Sequence, residues 1–358
     1  MGEPAAGAVV RVDARAIDRL VAQMDEANVL GGQVYVSVGG QPLADRAFGY
    51  ADAARTELLS EDHRLPAACA SKVLDGIAFV RLVEAQRIEP DDPLVRWWPQ
   101  LGPAPAGRVT VGSLPTHCAG FTSDPCMENP LAPWDERTLA ALAAVGSSEA
   151  EPVRYTLLSA YQLLAEVMAT ATGSTYEELM WTEVLDPASA SGIDLRLGEG
   201  PLRRPAFTRT TSGGHAPMAS TEWPQFHGPI WPGASCTLSV RSLARVYELI
   251  LEDGAGASHL LSTTGVARLT GAARAEAYDP EIRSTCSWGT GVARADSELL
   301  GRRAGEDAFG HIGLGGIGVY AEPGNDLVVG FAANCQLTRD ELTSALDAIR
   351  AAIDLPGG

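Results

Sequence analysis

The sequence predicts an α/β protein, more closely α+β, in which one antiparallel sheet is built from both chain ends, flanked by helices, and interrupted by a mainly helical insertion. Three observations predict this. Strand-like alternation appears near the start, at residues 33–38. It returns near the end, at residues 316–332. An apolar segment suited to a buried helix, residues 73–87, lies between them.

The elements follow in chain order. Residues 14–27 place Ile17, Leu20, Val21 and Met24 on one helical face after a cap candidate at Asp13. Gln33 to Val38 alternates around β-branched residues, stops at Gly39-Gly40 and resumes over residues 43–49, as a hairpin does. In Val73 to Arg87 the residues Ile77, Val80, Leu82 and Val83 fit a helix inside the core. Stretches rich in Pro and Gly, around 102–107 and 198–233, read as long ordered loops. Gly316–Ala321 and Leu327–Ala332 form a second strand pair across Glu322-Pro323-Gly324-Asn325, and a helix over 338–353 closes the chain. With no internal repeat and no linker, residues 1–358 read as one unit. Residues 10–70 and 235–358 supply the sheet region, and 71–234 form the helical, loop-rich region.

Composition narrows the function. The chain has 358 residues, 46% of them apolar and 20% charged, enough for a substantial core. No run of 18 apolar residues occurs, and Met1-Gly2-Glu3-Pro4 lacks the basic and apolar regions of a secretory signal, so the expectation is a cytoplasmic protein that does not enter the membrane. A net charge of −18 without a basic cluster argues against nucleic-acid partners. The six cysteines form no C-x-x-C pair and no zinc-like spacing with histidine, so free thiols are expected, with no metal and no cofactor.

Lys72 is the single lysine among 27 basic residues. Arginine keeps its proton, whereas a buried lysine can shift its pKa far enough to act as a neutral amine, so Lys72 is the first candidate for a general base. Three positions earlier stands Cys69, in Cys69-Ala70-Ser71-Lys72. On a helix, residues three apart have Cβ atoms about 5–6 Å apart, which brings the amine within reach of the sulfur. The nearby helix N-terminus and the lysine both favour a thiolate, the form that attacks. Read without chemistry, the same pair is a small buried thiol beside a solubilising lysine.

The surrounding motifs decide between these readings. Arg64 to Lys72, followed by Leu82 to Pro93, resembles the segment holding the S-x-x-K motif in class C β-lactamases, penicillin-binding proteins and their esterase and acyltransferase relatives. Leu114-Pro115-Thr116-His117-Cys118-Ala119-Gly120-Phe121 is similar to the family's L-L-T-H-T-S-G-L loop. Tyr161 to Leu179 resembles the helix after its second motif, Gly233 to Arg245 its next helix entry, and Gly310-His311-Ile312-Gly313-Leu314 the H-x-G form of its third motif. The likeness covers residues 30–350 in the right order and implies the β-lactamase/transpeptidase-like fold.

The resemblance also implies roles. The nucleophile's position falls on Cys69, where the family has serine; Ser71, next to Lys72, is the minor alternative. The family's Y-x-N motif is not intact: Tyr155 alone supplies a phenol there, as catalytic acid or base or else as a core aromatic. His311 faces the acyl group, its charge easily set near neutral pH. The oxyanion hole is expected at the backbone N–H groups of Cys69 and Leu314. Trp288 and Gly313 are expected to line the substrate pocket, Trp134, Trp223 and Trp231 being weaker pocket candidates, and His117 is expected to be a structural hydrogen-bonder. The main functional expectation is an acyltransferase. It forms an S-acyl intermediate on Cys69 and takes acyl groups from an ester or from a thioester on an acyl carrier protein or coenzyme A, for a small acceptor. The alternatives are a hydrolase of small esters, thioesters or amides, and a non-catalytic ligand-binding relative.

Overall fold

The computed structural model describes residues 10–146, 153–196, 202–218, 229–273, 276–295 and 298–355. Helix α1 (Ala14–Glu26) starts at Asp13, whose carboxylate accepts from the Arg15 N–H at 2.9 Å. Strands β1 (Gly31–Val38) and β2 (Gln41–Gly49) are joined by Gly39 and Gly40, both at positive φ (58° and 68°), which a two-residue hairpin turn requires. A 3₁₀ turn over Ala68–Ser71 runs into α2 (Lys72–Glu84), and α3 (Trp134–Ala144) and α4 (Ser159–Thr172) belong to the inserted region. The chain then returns to the sheet through α5 (Val240–Gly254), β3 (Ala293–Arg294), β4 (Phe309–Gly313), β5 (Ile317–Glu322) and β6 (Leu327–Ala333). Helix α6 (Arg339–Ala351) ends it.

The sheet is antiparallel in the order β3-β4-β5-β6-β1-β2, so the opening hairpin is stitched onto the closing meander along β6, where Phe331 faces Val34. Alternation sorts the side chains. Val34, Val36, Val329 and Phe331 enter one core with Ile17 and Leu20 of α1 and Leu346 and Ile349 of α6. Tyr35, Val319 and Val328 enter the other with Leu243 and Tyr247 of α5 and the apolar residues of α2. Because β1 is covered on both faces it is buried almost throughout. Helix α2 is buried nearly all round, as a helix in the middle of a large core must be.

The expected loops differ in detail. Residues 102–107 run into a short helical turn, Pro105–Arg108. Within 198–233 a small hairpin pairs Phe207–Arg209 with His215–Pro217, while 198–201 and 219–228 lie outside the described residues. No described helix is long and apolar enough to cross a membrane.

Candidate active site

Cys69 sits in the 3₁₀ turn, not in an α-helix as its spacing suggested. The tighter turn suits it, because side chains at i and i+3 eclipse there, stacking Cys69 over Lys72. Ala68, just before it, has φ +44°, a left-handed conformation that costs a non-glycine residue roughly 1–2 kcal/mol. Strand β4 closes over the turn at Gly313. A Cβ there would fall 2.1 Å from the Ala67 carbonyl oxygen and 3.1 Å from the Ala70 nitrogen. That close approach brings Leu314, the residue after Gly313, beside the Cys69 turn.

Lys72 is fully buried. Its Nζ donates to the Leu157 carbonyl (2.8 Å) and to the Gly233 carbonyl (3.2 Å), and lies 4.0 Å from the Tyr161 ring centre. Burial lowers its pKa, opposed in part by Cys69, Asp75 and Asp124. A neutral amine has two hydrogens, and the two carbonyls account for both, which leaves its lone pair free to accept a proton.

Tyr155 joins the site. It lines the same cavity as Cys69 and packs in the same small cluster, and burial first, then Cys69, pushes its pKa well above the usual phenol value. The ring packs against His117 at 4.4 Å and stacks on Trp288 at 5.5 Å. Its backbone is held from both sides. His117 accepts the Arg154 N–H on its carbonyl and the Thr156 N–H on Nδ1, and Asp279 accepts the Tyr155 N–H at 2.7 Å. The position two after Tyr155, where Y-x-N would have asparagine, is Leu157, and there the backbone carbonyl receives Lys72.

His311 reaches the site on β4 in a form that differs from expectation. Its Nδ1 lies 2.6 Å from the Ile312 carbonyl, so Nδ1 carries the hydrogen and Nε2 the lone pair. Burial, with the Lys72 charge adding to it, drives its pKa down to about 3. The ring is a fixed neutral acceptor, not a group titrating near pH 7.

Cys69, Tyr155, Trp288, His311, Gly313 and Leu314 all line one cavity of about 460 Å³, with Leu157, Ile282, Leu299, Ile312, Leu337 and Leu342 supplying apolar walls. Charged side chains of Glu281, Arg283, Arg339 and Asp340 also line it. The other candidates lie elsewhere. Ser71 donates its hydroxyl to the Ala68 carbonyl and is not part of the cavity. Trp134 and Trp231 hold the Arg137 guanidinium, at 5.3 and 3.9 Å, and Trp223 lies outside the described residues. None of the six cysteines is in a disulfide, and no metal-binding cluster of His, Cys, Asp or Glu occurs among the described residues.

Sequence reasoning missed Asp279, which anchors both Tyr155 and, through the N–H groups of Glu281 and Ile282, a loop at the cavity. It also missed Asp124, whose carboxylate takes the Leu158 and Ser159 N–H groups at the start of α4, and the Gly233 carbonyl on Lys72. Only the Asp-Pro-Glu spacing at 279–281, a turn signal, pointed to the first of these.

Comparison with known proteins bears on this arrangement. The model of the beta-lactamase family matches residues 17–353. The chain is 24% identical over 335 residues to the esterase/beta-lactamase LipL of Mycobacterium tuberculosis (strain ATCC 25618 / H37Rv), covering 82% of this chain and 74% of that protein. Its fold is similar to that of a penicillin-binding protein homologue from Caulobacter crescentus, with TM-score 0.74 and 21% identity over 96% of this chain and 100% of that one. It is also similar to that of EstCE1, described as a hydrolase with promiscuous acyltransferase activity, with TM-score 0.77 and 17% identity over 94% and 98%.

Proposed function

Since the chain belongs to the beta-lactamase family, we propose that it is an esterase-type acyl hydrolase working through a covalent acyl intermediate on Cys69. The observation that carries the reading is that Cys69 and Tyr155 line one cavity with the Lys72 amine 5.7 Å from the centre of the Tyr155 ring.

In the first half-reaction the Lys72 amine takes the thiol proton, directly or through the Tyr155 hydroxyl. The sulfur forms a bond to the substrate carbonyl carbon, and the carbonyl π electrons move to oxygen. The N–H groups of Cys69 and Leu314 receive that oxyanion; one such donor is typically worth about 2.7–4 kcal/mol. The carbon–oxygen bond to the leaving group then breaks, and the proton held by Lys72 passes to the departing alkoxide. In the second half water attacks the thioester carbonyl, its proton passing through the same pair to the Cys69 sulfur as the acid leaves. An ester and water thus become an acid and an alcohol. His311, whose Nδ1 is held by the Ile312 carbonyl and whose pKa burial lowers, offers Nε2 as the acceptor that orients substrate.

Hydrolysis is favoured over the acyl transfer expected from the thiol alone, because LipL is named an esterase and EstCE1 a hydrolase. Transfer remains the second reading, supported by the promiscuous acyltransferase activity in EstCE1's description and by apolar walls that favour an alcohol over water at the thioester. The test is intact-protein mass spectrometry with a panel of activated esters and acyl thioesters, including coenzyme A thioesters, on the native chain and Cys69→Ala. A one-acyl mass gain that Cys69→Ala abolishes is the expected result. Its decay in water alone identifies a hydrolase, and decay only with added alcohol or amine a transferase. An adduct retained in Cys69→Ala overturns Cys69 as the nucleophile and moves the acylation to another residue, while none across the panel overturns the reading and leaves a ligand-binding relative.

A further inference from the structure

A carboxyl group that these steps do not use lies beside Lys72. Asp75, one turn along α2, is 1% exposed. The Tyr176 hydroxyl donates to its Oδ1 at 2.8 Å, and the Gly233 backbone also favours the ionised carboxylate. The carbonyl of the same Gly233 accepts from Lys72. Gly233 therefore bears on both side chains, and it is pinned: at φ +66°, a Cβ on Gly233 would lie 3.0 Å from Lys72 Cγ.

The groups facing Asp75 are Lys72 on its own helix, Tyr161 on α4, Tyr176 and Cys236. Burial raises the pKa of Tyr161, Tyr176 and Cys236, so all three stay neutral. Lys72 is the one facing group able to carry positive charge. A carboxyl this deep is costly to ionise without such a partner, and burial lifts Asp75 to about 7.

We propose that Asp75 is a positioning residue for acylation: its carboxylate is the buried counter-charge that holds Gly233 against Lys72 and stabilises the ammonium formed once Lys72 has taken the thiol proton. This inference rests on the assignment of Lys72 as the base. A negative neighbour favours the ammonium, so removing it lets the amine go free at lower pH.

The test is the pH profile of single-turnover acylation of Cys69 by p-nitrophenyl acetate. In parallel, Cys69 alkylation by iodoacetamide is followed by peptide mass spectrometry, with Cys69→Ala as the blank. Asp75→Asn keeps an oxygen acceptor for Tyr176 but loses the charge. Its acidic limb is expected to move to lower pH by about one unit, with a lower plateau because the base is weaker. Tyr176→Phe removes a donor that stabilises the carboxylate and should move the limb the same way, by less. A limb that stays in place while rate or stability falls makes Asp75 merely structural and overturns the proposal. Should Asp75→Asn not fold, an unmoved limb in Tyr176→Phe overturns it equally. The alkylation arm separates the two failures: if no ester acylates the native chain, the hydrolase reading falls, while the iodoacetamide limb still reports whether Asp75 governs Lys72.

Discussion

Gly233→Ala joins the stability of the fold to its chemistry at one atom. The residue sits at φ +66°, where an L side chain costs roughly 1–2 kcal/mol over glycine. The new methyl would lie 2.8 Å from Tyr161 Cδ1, 3.0 Å from Lys72 Cγ and 3.1 Å from Tyr161 Cγ. None of these can retreat, since Tyr161 and Lys72 are both fully buried, and overpacking of this kind adds roughly 1–3 kcal/mol. The expected loss is therefore about 2–5 kcal/mol, read as a lower urea midpoint with an unchanged slope. The same methyl pushes on the Lys72 stem, and a displacement near 1 Å can cost about 100-fold in rate. Single-turnover acylation, run where the variant is still folded, should fall by that order. A variant within about 1 kcal/mol of the native chain that acylates at the native rate would refute both the strain and the placing of Lys72.

Three further outcomes are expected. Lys72→Met fills the same space without the amine: acylation should drop by about 10²–10⁴, and the urea midpoint should fall as well, because the Leu157 and Gly233 carbonyls lose their donor and Asp75 its counter-charge. Tyr155→Phe keeps the ring against His117 and Trp288 but loses the hydroxyl; acylation slowed by at least tenfold is expected, and an unchanged rate would make Tyr155 a core aromatic. Glu341, held bidentately by Arg209 at 2.8 Å, has its carboxyl lowered from 4.5 to about 2. A depressed folded pKa stabilises above the unfolded value, so about 1–2 kcal/mol, after discounting for partial exposure, is lost as pH falls from about 5 to 2. Glu341→Gln should flatten that part of the stability–pH curve.

What was legible in the sequence was local. Asp13 capping α1, the Gly39-Gly40 turn, and the strand pair around residues 322–325 each rest on neighbours a few positions apart, and each stands within a residue or two of expectation. Motif order carried the fold class, which the Caulobacter crescentus likeness supports. The site was legible only as residue types. Nothing near Tyr155 in the chain tells whether its ring points inward, since its N–H is fixed by Asp279, 124 residues away. The state of His311 was not legible for the same reason: burial and Lys72 both lower its pKa, and spacing reveals neither. The 3₁₀ turn under Cys69 escaped because the helical pattern continues through it.

A sheet closed by both chain ends has a consequence for synthesis. Cys69 leaves the ribosome about 240 residues before Phe309 begins the strand that covers it. At roughly 5–20 residues per second, that is about 10–50 s during which the thiol has no Gly313 above it and no Trp288 beside it. The unfinished chain thus carries the Cys69 thiol uncovered, open to oxidants and electrophiles that the finished protein would meet only through the mouth of a 460 Å³ cavity.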